Sequence, residues 1–284
     1  MSTLQNKIDF AVILSAKNAN PNGDPLNGNR PRQDYEGYGE ISDVCLKRKI
    51  RNRMMDLGYP VFVQSDDRRN DGFKSLRERA DSCEALVKAE KAKDGEAFAA
   101  AACDAWLDVR SFGQVFAFKD NKNGVSVGVR GPVSLQPAFS VDPVDIASIQ
   151  ITKSVNSMPG DKKASDTMGM KHRIPFGLYT FYGSINCQLA EKTGFTEADA
   201  EIIHRALCTL FENDSSSARP DGSMEVCQVY WWKHDCASGQ YSSAKVHRSL
   251  RVSKKPEVEI PHSFEDYDVT LDQLDGLTPE ISDV

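Results

Sequence analysis

The chain has 284 residues, 40% of them apolar and 27% charged, with a formal net charge of −6. That length can bury the core of one elaborated domain or two small ones, and the composition is ordinary for a soluble globular protein. No apolar run approaches the roughly 20 residues that span a bilayer, and the N-terminus MSTLQNKIDF lacks the apolar centre of a signal peptide, so a cytoplasmic protein is expected.

The seven cysteines are odd in number and never spaced C-x-x-C, which argues against disulfides and for small buried side chains. Cys227, His234, Cys236 and His247 come nearest to a metal cluster, but their spacing fits no standard zinc pattern. No metal and no cofactor is expected. The charge is unevenly placed. Residues 256–284 hold nine acidic and no Lys or Arg side chains, so residues 1–255 carry 35 basic against 32 acidic, a net of +3. A mildly basic body with an acidic tail leaves room for a polyanionic partner without requiring one.

In chain order, Ile8–Ala16 (IDFAVILSA) alternates and is rich in Ile, Val and Phe, which predicts a strand. Lys17–Pro31 (KNANPNGDPLNGNRP) holds five Asn, two Gly and three Pro and predicts a bent loop. Ser42 then suits the N-cap of a helix ending at Gly58. On it, Leu46, Ile50, Met54 and Leu57 share an apolar face, while Lys47, Arg48 and Arg51 lie on another.

Residues from about 64 to 107 are rich in Ala, Glu and Lys without a strand signal and predict a helical insertion. VRSFGQVFAF and VSVGVRGPVSLQ then read as the arms of a hairpin reversed at Asn123-Gly124. Ile146–Ile185 has two strand-like flanks around a tip too polar to pack. FTEADAEIIHRALCTLFEN predicts an amphipathic helix opened by Thr196, and MEVCQVYWWKH a final strand. Two strand-helix-strand halves with antiparallel pieces make an α+β chain with a ferredoxin-like sheet, the scaffold of RNA-recognition domains.

Three features point to a polynucleotide. Lys47, Arg48, Lys49, Arg51 and Arg53 place five cations in seven residues, with no Glu at i−4 to neutralise the row. The Asn- and Gly-rich loop can turn backbone N–H groups into an anion-holding nest, and its amides can bond phosphate or 2′-hydroxyl oxygens without reading base identity. The protruding hairpin carries Lys153, Lys171, His172 and Arg173 on its arms and Met158-Pro159 at its tip, where an unbranched thioether could slip beside a base. Phe112, Phe116, Phe118, Trp231 and Trp232 alternate within predicted strands and are expected mainly in the core. Asp24 and Asp34 could hold a metal with a phosphate, although loop Asp residues beside Asn, Gly and Pro are usually turn formers. No P-loop, G-x-S-x-G or H-E-x-x-H motif is present.

Taken together, NANPNGDPLNGNRP, SDVCLKRKIRNRM, DVRSFGQVFAF, RGPVSLQPAFS and the Met-Pro-tipped hairpin resemble the backbone subunit of the type I-C CRISPR surveillance complex, Cascade, a member of the repeat-associated RNA-binding superfamily. The resemblance covers about residues 6–250 and lies in the combination. It implies an RRM-like palm (1–60, 108–145 and 174–255), a helical finger insertion (61–107) and a thumb hairpin (146–173), followed by the acidic tail (256–284). It also implies a non-catalytic subunit whose copies stack head to tail on a guide RNA (crRNA). Each thumb kinks the guide at regular intervals and leaves the bases free to pair with a target DNA strand in antiviral defence. The implied RNA-binding residues are Lys17, Asn18, Asn20, Asn22, Lys47, Arg48, Arg51, Phe112, Gly113, Gln114, Lys153, Met158, Lys171 and Arg173. The implied partners are further copies and the crRNA 5′-end, large and small Cascade subunits, with no membrane. A metal-dependent endoribonuclease of the same superfamily, using Asp24 or Asp34, is the alternative.

Overall fold

The computed structural model describes residues 2–117, 126–155 and 168–284. Its spine is β1 (Ile8–Ala19), in which nine consecutive residues, 8–16, are buried. Phe10, Val12 and Leu14 face one core, and Ala11 and Ile13 face another, so this strand is covered on both sides. After it come a short ribbon of β2 (Gly23–Asp24) with β3 (Arg30–Pro31), then β4 (Tyr38–Ile41) and the basic helix α1 (Asp43–Asp56). Four helices follow, α2 (Leu76–Asp81), α3 (Glu84–Ala92), α4 (Gly95–Ala105) and α5 (Leu107–Phe112).

The middle of the chain is β5 (Gly113–Phe116), β6 (Val127–Arg130), β7 (Val133–Leu135), β8 (Ala138–Pro143), β9 (Ala147–Thr152) and the long β10 (Met168–Ile185). Then come α6 (Cys187–Thr193), α7 (Glu197–Cys208), β11 (Met224–Lys233), α8 (Ser243–Ser249), β12 (Leu250–Lys254), β13 (Tyr267–Leu271) and β14 (Glu280–Asp283).

The main sheet runs β14-β11-β1-β10-β8-β4, antiparallel throughout, with β7 and β9 also paired to β10. Both long helices lie on one face. Leu46, Ile50 and Met54 of α1 and Ala200, Ile203 and Leu207 of α7 pack with Phe10, Val12, Leu14, Phe181 and Val229. Each of the larger side chains among these contributes about 1.5–3 kcal/mol. α7 begins with a capping box, in which Thr196 and Asp199 satisfy each other's backbone N–H groups.

Helices α2–α4 surround a separate aromatic core. Phe62 meets Trp106 at 4.7 Å and Phe116 at 5.1 Å, and Phe98 meets Phe116 at 5.2 Å. As expected, Phe116, Trp231 and Trp232 are buried, while Phe118 and the Asn123-Gly124 reversal lie outside the described residues.

Two expectations need correction. Val109–Phe118 was expected to be one hairpin arm, but Leu107–Phe112 is helical and, among the described residues, Gly113–Phe116 is the extended part. Tertiary bonds override the local β preference. Arg110 forms a two-pronged pair with Asp199 of α7 (2.9 and 3.0 Å), and Asp108 accepts from the Phe62 and Val63 N–H groups. Gly113 makes the exit: its φ is +78°, and a Cβ there would lie 2.3 Å from the Val129 carbonyl oxygen.

The acidic C-terminal segment is not a tail. Tyr267 and Leu277 join Val246 and Leu250 in a third cluster on the second face of the sheet, and β14 pairs with the edge of β11. The apolar residues Tyr267, Val269 and Leu271 alternate with Asp268 and Thr270 along β13, a pattern that the charge count concealed.

Beneath this second face Asp9, fully buried, accepts from Lys7 Nζ at 2.7 Å and lies 2.9 Å from His234 Nε2. Burial alone would raise its pKa, but the bonds from His234 and Lys7 outweigh it and hold the carboxyl below its usual value of 3.8. A depressed folded-state pKa stabilises the fold above 3.8, and that contribution is lost as pH falls below it. Asp9→Ala is expected to lower the urea-unfolding free energy at pH 7 by about 3–5 kcal/mol, because Lys7 loses its buried partner. The variant should also lose less stability than the parent between pH 4 and pH 2; a loss of stability at pH 7 below about 1 kcal/mol would put the cluster with exposed pairs.

Candidate nucleic-acid interface

The candidate surface begins where β1 leaves the core. After nine buried residues, Lys17 and Asn18 are exposed, and Asn18 takes a left-handed φ of 53°. Asparagine tolerates that conformation far better than a β-branched residue would. The Lys17 N–H donates to the Ser223 carbonyl at 2.7 Å, which ties this end of β1 to the loop between α7 and β11.

Asn20 and Asn22 were expected to hold phosphate or sugar, but Asn20 braces the loop and Asn22 ties it to α1. Asn20 is only 3% exposed, and its Nδ2 donates to the Asn29 carbonyl at 2.7 Å. Asn22 Oδ1 accepts from both the N–H and the hydroxyl of Ser42 at 3.0 Å, which fastens the loop to the N-cap of α1. A loop this polar keeps its shape by bonding its own backbone and the neighbouring helix cap, and the Asn20 and Asn22 amides do part of that. Asp24 and Asp34 are turn formers. Asp24 accepts from the Leu26 N–H at 3.1 Å, and Asp34 accepts from the Glu36 and Tyr38 N–H groups at 2.9 Å each.

The cation row of α1 is also largely neutralised, contrary to the expectation of a bare positive face. Lys47 pairs with Asp43 at 3.0 Å, an i−4 carboxylate supplied by Asp rather than Glu. Lys49 is buried against Asp214, Arg51 reaches the fully buried Asp108 at 2.9 Å, and Arg53 pairs with Glu212. Burial pushes the Lys49 ammonium below its usual pKa, with Asp214 opposing the shift. Among the described residues, Arg48 is the exposed member of the row with no ion pair.

The half-buried Phe112 lies under the Arg51 guanidinium, 5.1 Å from its ring centre. Gly113 and Gln114 are partly exposed at the start of β5 and pair with Arg130 and Val129.

Sequence reasoning missed the segment opposite this loop. Arg219 donates to the Asn20 carbonyl at 3.3 Å and lies 3.7 Å from Asp214, the carboxylate that holds Lys49. Asp214 and Arg219 therefore connect the end of β1 to the basic helix. Their stretch NDSSSARPDGS is as rich in turn formers as Lys17–Pro31, and that shared composition was the available signal.

The arms of the protruding hairpin are β9 and the first part of β10, paired from Ala147↔Arg173 to Thr152↔Met168. Lys153 is exposed beyond β9, and Lys171 and Arg173 are partly exposed on the opposite arm. Ile149, Ile151, Met168 and Met170 are exposed on these arms. Met158 lies outside the described residues.

An antiparallel sheet with two helices on one face, a separate helical core and a projecting hairpin define a protein of mixed helix and antiparallel sheet. The family described as CRISPR-associated protein Cas7 matches residues 6–272, and the chain belongs to that family. The "CRISPR-associated protein Cas7" of Haloferax volcanii is 29% identical over 302 aligned positions, covering 98% of this chain and 87% of the relative. A solved chain from "CRISPR RNA-guided surveillance complex, pre-nicking" is 16% identical with a TM-score of 0.49, covering 84% of this chain and 83% of that one. A second, from "CRISPR RNA-guided surveillance complex", is 16% identical with a TM-score of 0.44, covering 80% and 68% respectively. Among the described residues no helix is long and apolar enough to cross a membrane.

The pairing separates two arginines that look alike in sequence. Arg51→Ala is expected to destabilise the fold by about 3 kcal/mol in urea unfolding, because Asp108 would be left buried without its cation. Arg48→Ala should change stability by no more than about 0.5 kcal/mol. Equal losses would mean that the two positions share one environment.

Proposed function

We propose that the chain is a non-catalytic backbone subunit of a type I-C CRISPR Cascade complex. It grips the guide RNA without reading its sequence, stacks head to tail with further copies along it, and presents the bases to a target DNA strand. Membership of the Cas7 family supports this reading, and so does the strand order β11-β1-β10-β8 with α1 and α7 on one face. That is the order of a ferredoxin-like, RRM-like palm. The type I-C assignment rests on the resemblance of the sequence motifs. The crRNA 5′-end, large and small subunits would be its neighbours, in the cytoplasm, in antiviral defence.

One observation carries the proposal. At Lys17–Asn18 the central strand, buried before and after, comes to the surface beside a loop fastened to the helix on which Arg48 has no ion pair among the described residues. Exposed cations and an αL amide offer donors to phosphate and sugar and nothing that discriminates bases. The hairpin of β9 and β10 would be the thumb, with Lys153, Lys171 and Arg173 on its arms and Met158 as its wedge.

Purified chain is expected to bind unrelated single-stranded RNAs with affinities that agree within a few-fold. Arg48→Ala should weaken all of them alike and flatten the salt dependence by about 0.7 in logarithmic slope, one phosphate contact. Loss confined to one sequence would count against a backbone grip. RNA incubated with Mg²⁺ or Mn²⁺ should stay intact; cuts at regular spacing that vanish in Asp24→Ala would establish the endoribonuclease instead. Met158→Ala should leave affinity nearly unchanged while reducing the fluorescence of 2-aminopurine placed at the kinked guide positions. An unaltered signal would remove Met158 from that role.

A further inference from the structure

A second basic surface lies on the other side of the sheet. Between α8, β12 and the inner end of β10 is a groove of about 880 Å³. Its floor includes Tyr182 and His247, whose rings stack at 5.0 Å and 27°. Lys245, Arg248 and Arg251, all exposed, line it, with Asp272 as the one carboxylate among its lining residues. Lys245 sits 4.2 Å over the Tyr241 ring, and neither it nor Arg248 has an ion pair among the described residues. The exposed Arg251–Asp272 pair, at 2.7 Å, is of the kind that contributes little and exchanges readily.

This groove is separate from the surface around Lys17. In the β1–β10 register Tyr182 pairs with Ala11 and Phe176 with Lys17, six residues further along β10, or roughly 20 Å. Tyr182 packs with the cluster of Ala11, Ile13 and Leu178, on the face away from α1. The local charge is also unexpected. The adjoining segment, residues 256–284, carries nine acidic and no Lys or Arg side chains, yet only one of those carboxylates lines the groove.

We propose that this groove binds a single-stranded segment of nucleic acid other than the guide, with its phosphates against Lys245, Arg248 and Arg251 and a base against the Tyr182–His247 pair. Cations that follow a backbone beside a ring that takes a base are the two parts of sequence-tolerant single-strand binding. The volume falls within the roughly 300–1,000 Å³ of sites that enclose a small ligand, which suits one nucleotide unit with its neighbours in the open. The inference goes beyond the guide-binding reading and does not depend on it.

The test uses the full chain assembled on its guide RNA, with fluorescein-labelled oligodeoxythymidylate and oligouridylate that cannot pair with that guide. Lys245→Glu with Arg248→Glu changes exposed residues and should leave folding and guide binding intact. The double variant is expected to bind at least one of the two probes about tenfold more weakly, with a salt slope flatter by about 1.4, two phosphate contacts. Loss with both probes means that the groove accepts either sugar, and loss with one identifies which. Bromodeoxyuridine in the probe should crosslink to the peptide that contains Tyr182. Unchanged affinity for both probes, or crosslinks confined to other peptides, would overturn the proposal. So would binding of an oligoglutamate peptide at the groove that neither probe displaces, since the surface would then dock an acidic protein. If guide RNA fails to bind at all, the free chain still discriminates. Probe binding lost in the Lys245/Arg248 variant and kept in Arg48→Ala supports the groove while the guide reading fails.

Discussion

The structure depends on a strand that cannot be left exposed on either side. From Ile8 to Ala16 every residue of β1 is buried, so both faces of the sheet need cover. Helices α1 and α7 cover one face, and α8, β12 and β13 cover the other. Near its end the strand surfaces for two residues, Lys17 and Asn18, before Ala19 returns to the core. The candidate interface is thus a local break in burial near the end of β1, where Asn18 takes a left-handed φ.

Charge on α1 follows the same logic. A buried charge is tolerated only beside its opposite, and the buried Lys49 and Asp108 are each paired across the chain, with Asp214 and Arg51. These pairs hold the helix against two later segments of the chain, and they remove its members from the population available to a polyanion. What remains for a ligand is narrower than the row of five suggests. Arg48 stands out on α1, joined by Lys17 and Asn18 at the end of β1. The fold keeps these near a loop whose amides are turned inward. A backbone grip needs few contacts per copy if copies repeat along the strand, since avidity multiplies weak units.

Much of the architecture could be read in advance. The alternation of IDFAVILSA and MEVCQVYWWKH, the Ser42 and Thr196 caps and the apolar faces of the two long helices are local signals, and β1, β11, α1 and α7 followed them. α5 and the folded C-terminal segment were not legible. Val109–Phe112 has strand-forming composition but is held as a helix by Arg110–Asp199 and by Asp108, whose partners lie 45 or more residues away. Tyr267 and Leu277 look incidental among nine acids until they meet Val246 and Leu250.

For the site, the sequence by itself determined which chemistry was available: amides, cations and a protruding hairpin, gathered in the combination that resembles the Cas7 backbone. Those properties belong to residue types and to spacing over a few turns, which the chain carries whether or not it is folded. Only the tertiary structure decided which of those groups face outward. Asn20 became a buried brace, Asn22 a latch to Ser42 and Arg51 a structural cation, while Lys17, Asn18 and Arg48 stayed exposed. The reason is desolvation. Whether a polar group bonds a ligand or its own protein depends on partners brought within about 3 Å by folding, and no local pattern encodes that distance.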